Sequence, residues 1–231
     1  MAAAVLAAWF IAPVDHRERA TAALHCLSGL LNPADPGLRT AQERVLSLAQ
    51  KGLEQVRAAF AGAARPSGAA DEKQQARAES AATFADDLAR LLYSASGASE
   101  ANHPTQTPAA RGDLRRFAFL VLHLLDALSE IHVPRVTVNI VQTIDHIASA
   151  APKRAFLIAV GAVTGDETYW REPAGVDAAL QLVRHFAADY RAIFLGDDET
   201  TAAVRRLLES FVRLGWHQAI ELAEELDELF S

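Results

Sequence analysis

The chain has 231 residues, a formal charge of −7, 51% hydrophobic residues and a single cysteine. A chain of that length buries a core without cross-links, and a lone Cys26 excludes an internal disulfide, so a disulfide-stapled scaffold is ruled out. Alanine fills 48 positions, and its helix propensity and small size point to an all-α fold of closely packed helices.

Charge is placed unevenly. Residues 1–112 hold 11 basic and 11 acidic residues, whereas residues 113–231 hold 11 basic and 18 acidic. After Gly196, nine acids face only Arg205, Arg206 and Arg213, which would repel a phosphate backbone and argues against nucleic acid as partner. That acidic stretch reads either as a solvated helix face or as a docking surface for a basic partner. Cys26, among Ala23, Leu24 and Leu27, reads as a small buried hydrophobe.

The first predicted helix, AAAVLAAWFIA (2–12), has no Lys or Arg before it and is too short to span a bilayer. The expectation is a soluble, cytoplasmic chain. Val5, Leu6, Trp9 and Phe10 form one apolar stripe and alanines occupy the other side, so the helix asks to be covered on both faces. The cover is the same domain, a second copy of the chain or another protein, or else the chain continues from a longer one.

Pro13 ends that helix, and a second is expected over 15–31 behind Asp15 as N-cap. The turn NPADPG (32–37) precedes a third over 38–64, in which Gly52 costs ~1 kcal/mol against alanine. A fourth over 71–93 starts polar and turns apolar at Phe84, Leu88, Leu91 and Leu92. Residues 95–112 have the composition of a flexible linker, so the chain divides into a helical subdomain over 1–94, a linker over 95–112 and a helical stack over 113–231.

The fifth helix, 113–131, is apolar around more than half its circumference and should lie centrally. The next segment, PRVTVNIVQTIDHIASA, is rich in β-branched residues. Its apolar positions Val138, Val141, Ile144 and Ile147 nevertheless recur every three residues behind Pro134, which favours a helix. Pro152 and Pro173 introduce a seventh helix (153–163) and an eighth (174–195) in the same way. Asp197 or Asp198 caps a ninth ending at Leu214, Gly215 takes a left-handed position, and a tenth runs from Trp216, which packs in the last hairpin, to Phe230. About ten helices are thus expected, with residues 113–231 forming three hairpins of about 39, 44 and 36 residues, near the length of HEAT-type repeats. The fold expected is an irregular stack of antiparallel helical hairpins, a HEAT- or TPR-like α-solenoid or a helical bundle.

No glycine-rich phosphate loop, HExxH, CxxC pair, GxSxG or EF-hand loop occurs, and no cofactor is expected. Among the eight histidines, only His123, Asp126, His132, Asp145 and His146 suggest a metal site. His123 and Asp126 share a helix face, and an antiparallel neighbour could bring His146 near. The alternative function on that basis is a small metal-dependent hydrolase; helix-surface or capping histidines are the plainer account. In the loop TGDETYWRE (164–172), Tyr169, Trp170 and Arg171 are residue types that often dominate binding at protein interfaces, and they are the partner-binding candidates. Trp170 could equally fold back over the end of its hairpin. Arg115-Arg116 and Asp86-Asp87 suggest no role.

Three stretches, DDLARLLYSASGA (86–98), RFAFLVLHLLDALSEIHVPRVTVNIVQTIDHI (116–147) and VRHFAADYRAIFLGDDETTAAVRRLLESFVRLGWHQAIELAEELDELF (183–230), resemble the C-terminal helical region of large bacterial ATP-binding proteins of the STAND and AAA types, some with suspected antiphage roles. The resemblance covers under half of the chain. It implies a sensor or scaffold arm attached to a nucleotide-hydrolysing engine; with no phosphate loop here, ATP binding carries over to no residue. The function expected is therefore a non-enzymatic interaction or scaffold module with a protein partner and no membrane, able to self-associate through its first helix.

Overall fold

The eight long helices described are linked in a regular order of contacts, seen in a computed structural model that describes residues 30–31, 37, 39–63, 71–98, 110–165, 171 and 173–230. They are α1 (Arg39–Ala63), α2 (Asp71–Ser96), α3 (Ala110–Ser129), α4 (Pro134–Ile147), α5 (Pro152–Gly165), α6 (Pro173–Asp189), α7 (Asp198–Arg213) and α8 (His217–Phe230). The expected helix over 2–12, and that over 15–31 except Leu30 and Leu31, lie outside the described residues.

Consecutive helices pair as α1/α2, α3/α4, α5/α6 and α7/α8. The odd-numbered helices then touch in the series α1, α3, α5, α7, and the even-numbered ones in the series α2, α4, α6, α8. The result is an all-α, two-layer stack of helical hairpins, each covering the apolar side of the one before it. Among the described residues there is no strand.

Residues 99–109 of the expected linker are outside the described residues, while α2 extends to Ser96 and α3 starts at Ala110. The helices on the two sides of that segment bury side chains in one shared cluster that includes Leu53, Leu92, Leu125, Phe186 and Leu222. In α2, the buried Ala81, Phe84, Ala85, Leu88, Ala89 and Leu92 form an i, i+3/i+4 series in which the alanines let α1 and α4 come close.

The β-branched segment is helical, as its period implies. Val133 is the N-cap residue in an extended conformation and Pro134 opens the helix, where a missing N–H costs nothing. The buried face is Val136, Ile140, Val141, Ile144 and Ile147, with Val138 only half-buried. Two threonines lie on that face, and each satisfies its hydroxyl one turn back: Thr137 donates to the Val133 carbonyl at 3.3 Å and Thr143 to the Asn139 carbonyl at 2.6 Å.

One helix end falls well short of the expected one, and one cap at its expected position bonds differently. The helix expected over 174–195 stops at Asp189, and the chain passes through Tyr190 into a short 3₁₀ turn, Arg191–Ile193. No Pro or Gly marks the break. Packing supplies it, because the turn carries Phe194 into the core edge-on to Phe156 at 5.2 Å, while Phe186 lies 5.1 Å from the same ring. At the start of α7, Asp197 holds the N-cap position but makes no capping hydrogen bond from its side chain. Its carboxylate instead accepts from the Thr200 hydroxyl at 2.7 Å and pairs with Lys153 at 2.8 Å.

The joint between α7 and α8 forms as expected. Gly215 sits at φ +83°, its N–H donates to the Val212 carbonyl at 2.9 Å, and the Trp216 N–H donates to the Phe211 carbonyl at 3.1 Å. This pair of bonds closes the helix end by a Schellman motif. Trp216 is half-buried against the core.

Candidate functional site

The metal-site candidates His123, Asp126, His132, Asp145 and His146 do not converge on one point. Tyr169 and Trp170 lie outside the described residues, and Arg171 is exposed. His123 and Asp126 do share the exposed side of α3, but the Asp126 carboxylate pairs with Arg154 of α5 at 3.5 Å. Burial is the main influence that lowers the His123 pKa, with the Arg154 charge adding to it.

His146 is half-buried at the end of α4. Burial holds its pKa below the ordinary 6.5, although its bond to the Ser96 backbone at the end of α2 pulls the other way. The ring of His132 lies against the last residue of α5, its Cε1 2.1 Å from where a side-chain carbon on Gly165 would stand. Asp145 turns to another helix altogether. Its Oδ1 lies 2.5 Å from Nδ1 of His185 on α6, whose Nε2 is 3.2 Å from Asp189. His185 thus stands between two carboxylates beside the rings of Phe186 and Tyr190, a cross-helix clasp that sequence spacing did not single out. Among the described residues, no three His, Cys, Asp or Glu side chains are placed to hold a metal ion.

In the charged pairs without an assigned role, Arg116 bridges two helices and Asp86 pairs within its own. Arg116 reaches from α3 to α1, donating to the Gln42 side-chain oxygen at 3.0 Å and to Glu43 at 3.4 Å. Asp86 pairs with Arg90 at 3.7 Å, and its second oxygen is buried with no hydrogen-bond partner among the described residues. Lys153, at the start of α5, pairs with both Asp197 and Glu199 at 2.8 and 2.9 Å and so ties that end to the start of α7. The hydrogen bond to Asp197, followed by that to Glu199, raises the Lys153 pKa. The Lys153 bond, with the Thr200 hydroxyl behind it, lowers that of Asp197. Lys153 and Glu199 are exposed and Asp197 is only half-buried, so the pairs position the helix ends more than they stabilise the fold.

An open groove of about 760 Å³ runs between α7 and α8. Val204 and Leu208 of α7, Ala223 and Leu226 of α8, and Phe194 form its apolar floor. Leu195 and Val212 line it while remaining 53% and 39% exposed. Arg205, Glu209 and Arg213 stand on the α7 side and Asp227 on the α8 side. The groove exists because α6 stops early: the turn that sends Phe194 inward leaves the next residue, Leu195, at the groove mouth. The sequence signal was present in α7, where Val204, Leu207, Leu208, Phe211 and Val212 make an apolar arc wider than one core contact needs.

No protein-family model, curated protein or solved structure matches this chain. Its geometry is therefore what bears on function. Among the described residues, no helix is long and apolar enough to cross a membrane.

Proposed function

We propose that this chain is a non-enzymatic helical-repeat module that binds another protein, with the groove between α7 and α8 as a principal contact surface. The supporting observation is the groove itself: an apolar floor flanked by charged side chains, with large apolar residues left in contact with water at its edge. Stacked hairpins commonly use such extended surfaces for recognition, and exposed apolar ground rimmed by polar groups marks interaction sites. In the same proposal the module works in the cytoplasm. The resemblance of residues 86–98, 116–147 and 183–230 to the helical ends of STAND and AAA proteins suggests a sensor arm or subunit of a bacterial defence NTPase assembly.

Site-specific photocrosslinking in cells of the source tests the reading. A benzophenone side chain at Val212 or Ile220 should give one discrete protein adduct, and the same group at Gln181, exposed on α6, should not. A folded protein that gives no adduct from Val212, which lines the groove, or from Ile220, exposed on α8 beside it, would remove the proposal.

A further inference from the structure

We infer that the groove between α7 and α8 receives one face of an amphipathic helix whose apolar stripe is flanked by lysine or arginine. This deepens the protein-binding reading and rests on it. The shape carries the first part. The α7 residues along the groove recur at Thr201, Val204, Leu208 and Val212, a span of about 17 Å at 1.5 Å per residue. Three turns of a partner helix fit that length, enough for anchors at i, i+3 or i+4, and i+7.

Charge carries the second part. The charges lining the groove cancel, with Arg205 and Arg213 set against Glu209 and Asp227. Beside the lining residue Asp227, Ile220 and Glu224 follow the three- and four-residue spacing that makes one rim of α8, next to Ala223 on the floor. Glu221 and Glu228 add to the exposed acidic surface of the same helix. Of the nine acids after Gly196, Asp197 and Glu199 pair with Lys153 and Glu225 with Arg184, and the other six still outnumber the three arginines of the stretch, so a ligand approaching the groove meets a negative field. A helix with basic flanks is attracted there, whereas one with acidic flanks is repelled.

The test is fluorescence anisotropy with a labelled peptide of roughly 18 residues built from Leu, Ala and Lys as an amphipathic helix, and its analogue with Glu for every Lys. The intact protein should bind the lysine peptide about tenfold or more tightly than the glutamate peptide, and added salt should narrow the gap. The pair Leu195→Ser and Val212→Ser, both at exposed positions, should abolish binding with little change in melting temperature. The pair Glu224→Lys and Asp227→Lys should remove the preference for lysine.

Equal binding of the two peptides, or binding that survives the serine pair, would overturn the inference. So would a dimer of the protein alone that the serine pair dissolves, which would assign the groove to a second copy. If neither peptide binds yet the adduct at Val212 persists, the inference falls and the protein-binding reading stands; loss of both results removes both.

Discussion

The hairpin of α5 and α6 and the hairpin of α7 and α8 are neighbours in one stack with opposite allocations of apolar surface. In the first, Phe156, Ala159, Val183 and Phe186 are sealed from water, and rings from α5, α6 and the following turn meet around Phe156. In the second, Phe211 and Leu222 are equally buried, yet Val212, Leu214 and Ile220 remain exposed and a groove stays open between the helices. The same helical period thus serves two ends. One hairpin spends its apolar face on cohesion, and the other keeps part of its own available for contact.

The largest effect should come from the sealed side. Phe156→Ala removes the ring that both Phe186 and Phe194 touch and should cost about 3–5 kcal/mol in chemical denaturation. A loss below about 1 kcal/mol would show that this hairpin is no more cohesive than its neighbour. Gly215→Ala should cost less, about 1 kcal/mol, because alanine is strained at φ +83° in the joint of the open hairpin. An unchanged unfolding midpoint would mean the joint does not hold α8 in place.

Acidification probes a region outside both hairpins, with His123 on α3 and His146 on α4. The pKa values of His123 and His146 are both lowered from 6.5, so the folded protein binds fewer protons than the unfolded chain. Their contribution is complete above 6.5 and is lost as pH falls through the lower folded value. The melting temperature should therefore fall as pH is lowered through 6.5, and less steeply in His146→Gln. A flat profile in the wild-type protein would contradict the assigned burial. Least of all should be the effect of Leu195→Ser with Val212→Ser on stability, within about 0.5 kcal/mol, since water already reaches both side chains. A larger loss would mean the groove is part of the core and that the two hairpins do not differ.

The helical fold was legible because its strongest signals are local. Periodicity and Pro134 read the β-branched segment correctly as a helix, and Gly215 announced the joint after α7 at its observed left-handed position. What escaped the sequence depends on contacts between distant residues. The stop at Asp189 is dictated by where Phe156 waits for Phe194, 38 positions away, and nothing in HFAADYRAIF punctuates it. The Asp145–His185 clasp joins α4 to α6 and is invisible to spacing along either helix. Tyr169 and Trp170 lie outside the described residues, so their reading rests on residue type alone. The groove was missed for a related reason: an apolar arc in α7 gives the amount of surface to cover, but only the path of the turn before it leaves some of that surface open.

That turn joins two tasks in adjacent residues. Phe194 is held against Phe156 in the interior while Leu195 faces the groove, and a single peptide bond separates them. Pressure on one is thus transmitted to the other with almost no slack, so the groove mouth is only as soft as the aromatic packing beneath it. If a partner helix settles on Leu195 as proposed, it would press on a residue whose chain neighbour, Phe194, is packed in the core of the stack.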